Sequence, residues 1–146
     1  MVLTDPSPDA RAQVDQTIEN AWPVLEDAGL AGQGDRTKFR FVETIQEAVE
    51  GADFIQENVP EREDLKIEVH EAIDRYAAAD VVIASSSSGL LPSRLQAGCR
   101  YPDRVVIGHP FAPVYLLPLV EIVGGEKTSP EMIRRAGSFY RHVGMR

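Results

Sequence analysis

The run at positions 80–85, DVVIAS, is the feature that most limits the fold of this 146-residue chain. Consecutive β-branched residues favour an extended strand, and a strand that is apolar on both faces has to be covered on both faces. Strands of this kind are typical of parallel sheets, because the crossover connections between parallel strands place helices on each side. The run therefore predicts a buried strand in a layered α/β domain.

Hydrophobic periodicity elsewhere in the chain alternates between strand spacing and helix spacing. Strands are predicted at 2–4, 39–42, 52–59, 80–85, 104–109 and 119–123, and helices at 9–28, 44–49, 61–79, 93–97 and 129–143. Pro23 is expected to kink or divide the first helix, and Gly29 with the stretch 32–34 is expected to end it. The alternation implies right-handed crossovers and hence a doubly wound α/β fold with a mostly parallel sheet.

The composition predicts one globular domain with a small ligand. Hydrophobic residues make up 43% and charged residues 26%, and neither a linker nor an internal repeat divides the chain. A net charge of −8 opposes binding to nucleic acid or to an anionic membrane surface, so no partner of either kind is expected. Cys99 is the single cysteine, which excludes an internal disulfide and favours a reducing, cytoplasmic location.

Polar residues follow four of the predicted strands. They are Asp5, Glu57 with Asn58, the serines 85–88, and His109. Because ligands of doubly wound sheets bind beyond the carboxyl ends of the strands, these residues predict a binding site along one edge. Asp5 has an alternative interpretation, since an aspartate in this position can equally serve a turn or cap a helix.

His109 precedes Glu121 across a proline-rich turn, which suggests an acid/base pair. Histidine suits proton transfer near neutral pH, and a carboxylate behind its second ring nitrogen would fix the tautomer and stabilise the imidazolium. A histidine after an apolar strand can equally be a packed core or loop residue. Serine hydrolase chemistry is not favoured, because no G-x-S-x-G elbow surrounds the serine run.

No metal site is predicted, because the three histidines lie far apart in different elements. For His70, within a helix, and His142, near a helix end, a solvated or dipole-complementing role is expected.

Three stretches together resemble the 3-hydroxyacyl-CoA dehydrogenase superfamily. They are GADFIQENVPEREDLK at 51–66, VVIASSSSGLLPSRLQAG at 81–98 and PDRVVIGHPFAPVYLLPLVEIVGGEKTSPE at 102–131. Within the superfamily, SSSSGLLPS and GHPF-PVYLLPLVE are most similar to the L-carnitine dehydrogenase group, followed by the gulonate dehydrogenase and lambda-crystallin group. The resemblance implies a Rossmann-like domain, NAD as cofactor, and oxidation of a small L-3-hydroxy acid, L-carnitine before others.

The resemblance also implies catalytic roles for three residues. His109 matches the general base that removes the hydroxyl proton as hydride passes to the nicotinamide, and Glu121 matches its orienting partner. Ser88 matches the serine that hydrogen-bonds the reacting oxygen beside the nicotinamide. A base that titrates near neutrality suits alcohol oxidation, while the cofactor carries the hydride chemistry.

Four positions match the cofactor side of the family's site. Asp5 corresponds to the carboxylate that binds the adenosine ribose, and Glu57 and Arg62 correspond to a glutamate and a lysine of relatives. Ala112 stands where relatives commonly have the asparagine of HPFNP, so the chain lacks that side-chain amide near the nicotinamide ribose.

Members of the superfamily begin with a first strand and a G-x-G-x-x-G loop, and they continue into a helical domain. Residues 1–146 are accordingly expected to form a partial NAD-binding domain without these parts, with little or no activity in isolation. The parent enzyme is expected to be a homodimer. Two alternatives stay open: a 3-hydroxyacyl-CoA dehydrogenase such as one acting on 3-hydroxybutyryl-CoA, and a catalytically silent crystallin-like or remnant protein.

Overall fold

The computed structural model describes residues 1–31 and 35–146. Strands and helices alternate along most of the chain, as the periodicity predicts. In chain order they are β1 (Val2–Leu3), α1 (Ala10–Asp27), β2 (Arg40–Phe41), α2 (Ile45–Val49), β3 (Phe54–Glu57), α3 (Glu63–Tyr76), β4 (Val82–Ser85), α4 (Pro92–Leu95), a 3-10 turn (Pro102–Arg104), β5 (Val105–Pro110), β6 (Val120–Gly124) and α5 (Pro130–His142).

The strands form two sheets within the described residues. The larger sheet has the order β3-β4-β5-β6, in which β3, β4 and β5 are parallel and β6 is antiparallel to β5. The smaller sheet pairs β1 with β2 in parallel. The predicted α/β class with mostly parallel strands is therefore confirmed.

Hydrophobic clusters cover both faces of the larger sheet. One cluster packs α2 and α3 against β3, β4 and β5, with Ile83 and Val105 fully buried at its centre. The other packs α5 against the opposite face, where Ala84 and Val106 are fully buried. Adjacent residues of β4 thus enter different clusters, because successive side chains of a strand point to opposite faces.

Helix boundaries differ from the sequence predictions by a few residues at several ends. The largest trimming affects the helix predicted at 61–79, which runs over Glu63–Tyr76. Pro23 lies inside the continuous helix α1, so it does not divide that helix. Gly29 adopts a φ of 68° just after α1, as expected for a helix-ending glycine, whereas the stretch 32–34 lies outside the described residues.

Helix α3 buries polar residues beside the apolar residue Ile73, which packs in the core. Lys66 and His70 are inaccessible to solvent and Asp74 is nearly so, whereas Tyr76 is 45% exposed. The expectation of a solvated His70 is therefore wrong: spacing of four residues places its ring on the same inward face as Lys66 and Asp74.

In the described part of the chain, no helix is long and apolar enough to cross a membrane.

Candidate active site

The serine loop, residues 86–89, connects β4 to the segment before α4. Within it Ser87 is buried, whereas Ser88 is exposed. The backbone N–H of Ser86 donates to the carbonyl of Glu57 on the neighbouring strand, at 2.9 Å. The loop is thus attached to the carboxyl end of the sheet, with the Ser88 hydroxyl accessible to a ligand.

His109 and Glu121 lie directly opposite each other on the antiparallel strands β5 and β6. Opposed residues of an antiparallel pair project from the same face of the sheet, so the sequence-predicted partners share one side. The Nδ1 atom of His109 lies 3.0 Å from the main-chain oxygen of Ser86. Since that carbonyl can only accept, Nδ1 carries the proton and Nε2 of the neutral ring is the basic nitrogen.

Ser88, His109 and Glu121 line one open cavity of about 210 Å³. Its walls also include apolar side chains from the segment between the serine loop and the start of α4, and from β5 and β6. They are Leu90, Leu91, Pro92, Ile107 and Val123. Within the described residues no hydrogen bond joins His109 to Glu121, so the structure brings the three predicted catalytic residues together without showing the pair engaged.

This cavity can support proton transfer to or from a small polar group. An accessible hydroxyl, an imidazole with one free nitrogen and an exposed carboxylate surround the same space, beside apolar walls. The ring of Phe111 lies next to His109, with the two ring centroids 5.6 Å apart. Among the described residues, no group of three or more His, Cys, Asp or Glu side chains could hold a metal ion.

The predicted cofactor-side residues occupy separate positions. Asp5 is exposed after β1, in the smaller sheet, and its Oδ1 accepts a hydrogen bond from the Ser7 backbone N–H at 2.8 Å. Arg62 is exposed before α3 and pairs with Asp64 at 2.6 Å. Ala112 is exposed between β5 and β6 and is not among the residues that line the cavity.

The Glu57 carboxylate is buried and is held by neighbouring groups of the chain. Oε1 accepts hydrogen bonds from the Lys66 ammonium at 2.8 Å and from the Val59 backbone N–H at 2.6 Å. Oε2 accepts one from the Ser85 hydroxyl at 2.6 Å. With both oxygens engaged and the residue only 3% exposed, Glu57 lies beneath the site and supports it from inside.

His70 adjoins this buried cluster in its neutral form. Its Nδ1 lies 2.7 Å from the Lys66 carbonyl and therefore donates to it, while the buried Nε2 has no partner among the described residues. Burial, the largest influence, lowers the pKa of His70, and the charge of Lys66 acts in the same direction. The hydrogen bond to the Lys66 carbonyl and the charge of Glu57 oppose this decrease without cancelling it.

Sequence reasoning missed Glu61, which lies against the serine loop. Its Oε1 accepts hydrogen bonds from the Ser87 hydroxyl at 2.6 Å and from the backbone N–H groups of Ser88 at 3.0 Å and Gly89 at 3.1 Å. Partial burial would raise the pKa of Glu61, but these hydrogen bonds and the charge of Lys66 outweigh it and hold the pKa below its usual value. The signal available in sequence was a glutamate just before a helix, which usually indicates only helix-dipole stabilisation.

The described residues fit one end of a nicotinamide dinucleotide better than the other. The cavity offers an exposed hydroxyl and an imidazole against apolar walls, which suits a nicotinamide ring beside a polar substrate. Asp5 offers an exposed carboxylate at a strand end, where a ribose hydroxyl can donate. No G-x-G-x-x-G sequence occurs in the 146 residues to bind the pyrophosphate.

Comparison with known proteins relates the whole chain to one family of enzymes. The whole chain, residues 1–146, matches the family described as 3-hydroxyacyl-CoA dehydrogenase, NAD binding domain. An L-carnitine dehydrogenase of Burkholderia mallei is 53% identical over 97% of this chain and 44% of its own length. A second, from Pseudomonas putida, is 51% identical over all of this chain and 46% of its own.

A solved structure has the same fold. The crystal structure of 5-formyl-3-hydroxy-2-methylpyridine 4-carboxylic acid 5-dehydrogenase, an NAD⁺-dependent dismutase, superimposes with a TM-score of 0.88 at 35% identity. The match covers 99% of this chain and 47% of that one. The chain thus spans less than half the length of each of these relatives.

Proposed function

The chain belongs to the 3-hydroxyacyl-CoA dehydrogenase family, through its NAD-binding domain, and we propose that the protein oxidises L-carnitine to 3-dehydrocarnitine with NAD⁺. The observation that carries the proposal is the cavity in which Ser88, His109 and Glu121 meet. The identity of 53% to an L-carnitine dehydrogenase supports the choice of substrate.

In the proposed mechanism, His109 removes the proton of the substrate hydroxyl. Its Nδ1–H is held by the Ser86 carbonyl, so Nε2 is the nitrogen with a free lone pair. A positioned base of this kind contributes a rate enhancement of about 10²- to 10⁴-fold. NAD⁺, when bound, would accept the hydride from the carbon atom that carries this hydroxyl.

Ser88 and Glu121 have complementary roles in this proposal. The Ser88 hydroxyl is exposed to the cavity and hydrogen-bonds the reacting oxygen of the substrate. Glu121 lies opposite His109 in the sheet, and its negative charge stabilises the imidazolium that forms when His109 takes up the proton. Movement of the Glu121 carboxylate toward the ring on ligand binding would complete the pair, because catalytic hydrogen bonds commonly tighten only in the complex.

Cofactor binding in the proposal uses residues outside this cavity as well. Asp5 accepts hydrogen bonds from the adenosine ribose, and Arg62 offers a cation beside the end of β3. Ala112 leaves the nicotinamide ribose region without a side-chain amide. Glu57 contributes indirectly, since it holds Ser85 and Lys66 beneath the serine loop.

The location and assembly of the protein complete the proposal. We place it in the cytoplasm as a homodimer. The single cysteine, Cys99, is free of any disulfide, which suits a reducing compartment.

Turnover assays test the proposed function. The full polypeptide that contains residues 1–146 is mixed with NAD⁺ and L-carnitine, and NADH formation is followed by absorbance. We expect NADH production with L-carnitine and none with D-carnitine. Faster turnover in the reverse direction with acetoacetyl-CoA than with 3-dehydrocarnitine would assign an acyl-CoA substrate instead, and an absence of turnover with every substrate would indicate a catalytically silent protein.

A further inference from the structure

Glu61 contacts the serine loop more extensively than any residue predicted from the sequence. One carboxylate oxygen, Oε1, receives the Ser87 hydroxyl and two consecutive backbone N–H groups, those of Ser88 and Gly89. Three donors at one oxygen define the position of the loop backbone at Ser88. Charged acceptors form hydrogen bonds about twice as strong as neutral ones, so these contacts restrain the loop effectively.

The second oxygen of Glu61 faces the buried cation of the cluster below. Oε2 lies 3.7 Å from Nζ of Lys66, whose side chain is inaccessible to solvent. Lys66 pairs mainly with Glu57, at 2.8 Å, so one ammonium group lies between two carboxylates. This geometry orients the Glu61 carboxylate, with one oxygen toward Lys66 and the other toward the loop.

Glu61 does not itself line the candidate cavity, whereas all three residues that it holds do. Its side chain is 43% exposed. The Ser87 hydroxyl receives a further hydrogen bond from the Leu90 N–H, which continues the restraint to the end of the loop. Glu61 can therefore affect a ligand in the cavity only through the serine loop, and not by direct contact.

We propose that Glu61 is a positioning residue for Ser88, a role that rests on the proposed dehydrogenase function. By holding the N–H groups of Ser88 and Gly89, Glu61 fixes the backbone from which the Ser88 hydroxyl reaches the reacting oxygen. Without Glu61 the hydroxyl samples more orientations, and the transition state loses a preorganised hydrogen bond. The cost falls on the chemical step and not on cofactor binding.

A double-mutant cycle in the full polypeptide tests the role of Glu61. We expect Glu61→Ala to lower kcat at least tenfold while KM for NAD⁺ changes less than about twofold. In the Ser88→Ala background the same substitution should cost less than about twofold, because two residues that act together have non-additive effects. Losses that multiply in the double variant, or a kcat within about twofold of wild type for Glu61→Ala, would overturn the proposal.

Two further variants separate positioning from general stabilisation. Glu61→Gln keeps an acceptor oxygen for the loop, so we expect a smaller loss of kcat than for Glu61→Ala, and this variant carries the test if Glu61→Ala does not fold. Glu63→Gln is the matched control, since Glu63 lies two residues away and pairs with Arg94 at the surface. We expect its kcat to equal that of wild type; a loss equal to that of Glu61→Ala would overturn the assignment.

Amide hydrogen exchange tests the same proposal without turnover. We expect Glu61→Ala to accelerate exchange at the Ser88 and Gly89 amides about tenfold or more, with strand β4 unchanged. Unchanged exchange at both amides, or acceleration throughout the sheet, would overturn the positioning role. If wild type oxidises no L-3-hydroxy acid, the proposed function fails, and this exchange pattern alone decides whether Glu61 positions the loop.

Discussion

The Nδ1–H of His109 donates to the main-chain carbonyl of Ser86, at 3.0 Å, across the boundary between β4 and β5. This contact joins the candidate base to the loop that carries Ser88. It also selects the tautomer, because a carbonyl cannot donate and the proton therefore stays on Nδ1. The orientation of the imidazole thus depends on the backbone of the serine loop.

His109→Gln in the full polypeptide is expected to lower kcat by about 10²- to 10⁴-fold, because the basic nitrogen is lost. Half-burial of His109 limits the effect on folding, so the melting temperature should change little. Steady-state kinetics with L-carnitine and thermal unfolding are the measurements. His142→Gln, at an exposed histidine near the end of α5, is the control; a loss below tenfold for His109→Gln would remove His109 from the mechanism.

Glu121→Gln is expected to lower kcat about tenfold or more, because the neutral amide does not stabilise the imidazolium. Since Glu121 is exposed, the free energy of unfolding should stay within about 0.5 kcal/mol of wild type. Kinetics and urea unfolding measure the two effects. Glu126→Gln, at another exposed glutamate, should leave both unchanged; equal kcat values for the two variants would contradict the pairing of Glu121 with His109.

Lys66→Met is expected to lower the free energy of unfolding by about 3–5 kcal/mol, because it leaves the buried Glu57 carboxylate without its cation. Urea unfolding followed by circular dichroism measures the loss. Lys38→Met, at an exposed lysine, should shift the free energy by no more than about 0.5 kcal/mol. A similarly small shift for Lys66→Met would show that the buried pair is not formed in solution.

Stability is expected to fall as the pH decreases through about 6.5, the pKa of histidine in an unfolded chain. Burial first, and then the charge of Lys66, lower the pKa of His70 in the folded protein, so the unfolded state binds the extra proton there. Each such group contributes at most about 1.4 kcal/mol per pH unit. His70→Gln should reduce this slope between about pH 7.5 and about pH 5.5, whereas His142→Gln should not; identical slopes in both variants would exclude His70 as the source.

Gly108→Ala is expected to destabilise the protein by about 1–3 kcal/mol, because the added methyl group overpacks the contact between β5 and α5. A Cβ atom at Gly108 would lie 2.0 Å from the Tyr140 hydroxyl oxygen, and this tyrosine also hydrogen-bonds Gln56 at 2.5 Å. Thermal unfolding is the measurement. A Cβ at Gly137, on α5, would meet the end of the flexible Arg141 side chain at 3.2 Å and Ile122 at an ordinary contact distance of 3.7 Å, so Gly137→Ala should be neutral or stabilising. A neutral Gly108→Ala would contradict the close approach.

The sequence predicts the strands of the larger sheet better than it predicts the buried ion pairs of helix α3. Apolar runs with β-branched residues identify β4 and β5, because burial on both faces requires such side chains. The same reasoning fails for the polar residues of helix α3. Lys66 and Asp74 occupy inward positions, but a hydrophobic pattern predicts charged residues to be exposed. Their partners, Glu57 and Arg104, lie 9 and 30 residues away in sequence, which local periodicity does not connect.

The candidate site shows a similar division. His109 and Glu121 are predictable because each follows or belongs to a recognisable strand, and the antiparallel register then places them opposite each other. The contact from His109 to Ser86 involves a backbone carbonyl, which every residue type provides, so no sequence pattern announces it. Glu57 is predicted at the end of a strand, where the structure has it, but its burial could not be predicted because spacing alone does not determine burial.

The four consecutive serines, residues 85–88, have the same side chain but make different contacts. Ser85 donates its hydroxyl to Glu57 and Ser87 donates to Glu61, while Ser86 provides a carbonyl to His109 and Ser88 exposes its hydroxyl. Although the four residues are of one type, each therefore makes a different structural contribution. Tolerance to substitution should therefore differ between the four positions. Most substitutions at Ser86 preserve its contact with His109, because a main-chain carbonyl makes it, whereas substitutions at Ser85, Ser87 or Ser88 remove a hydroxyl.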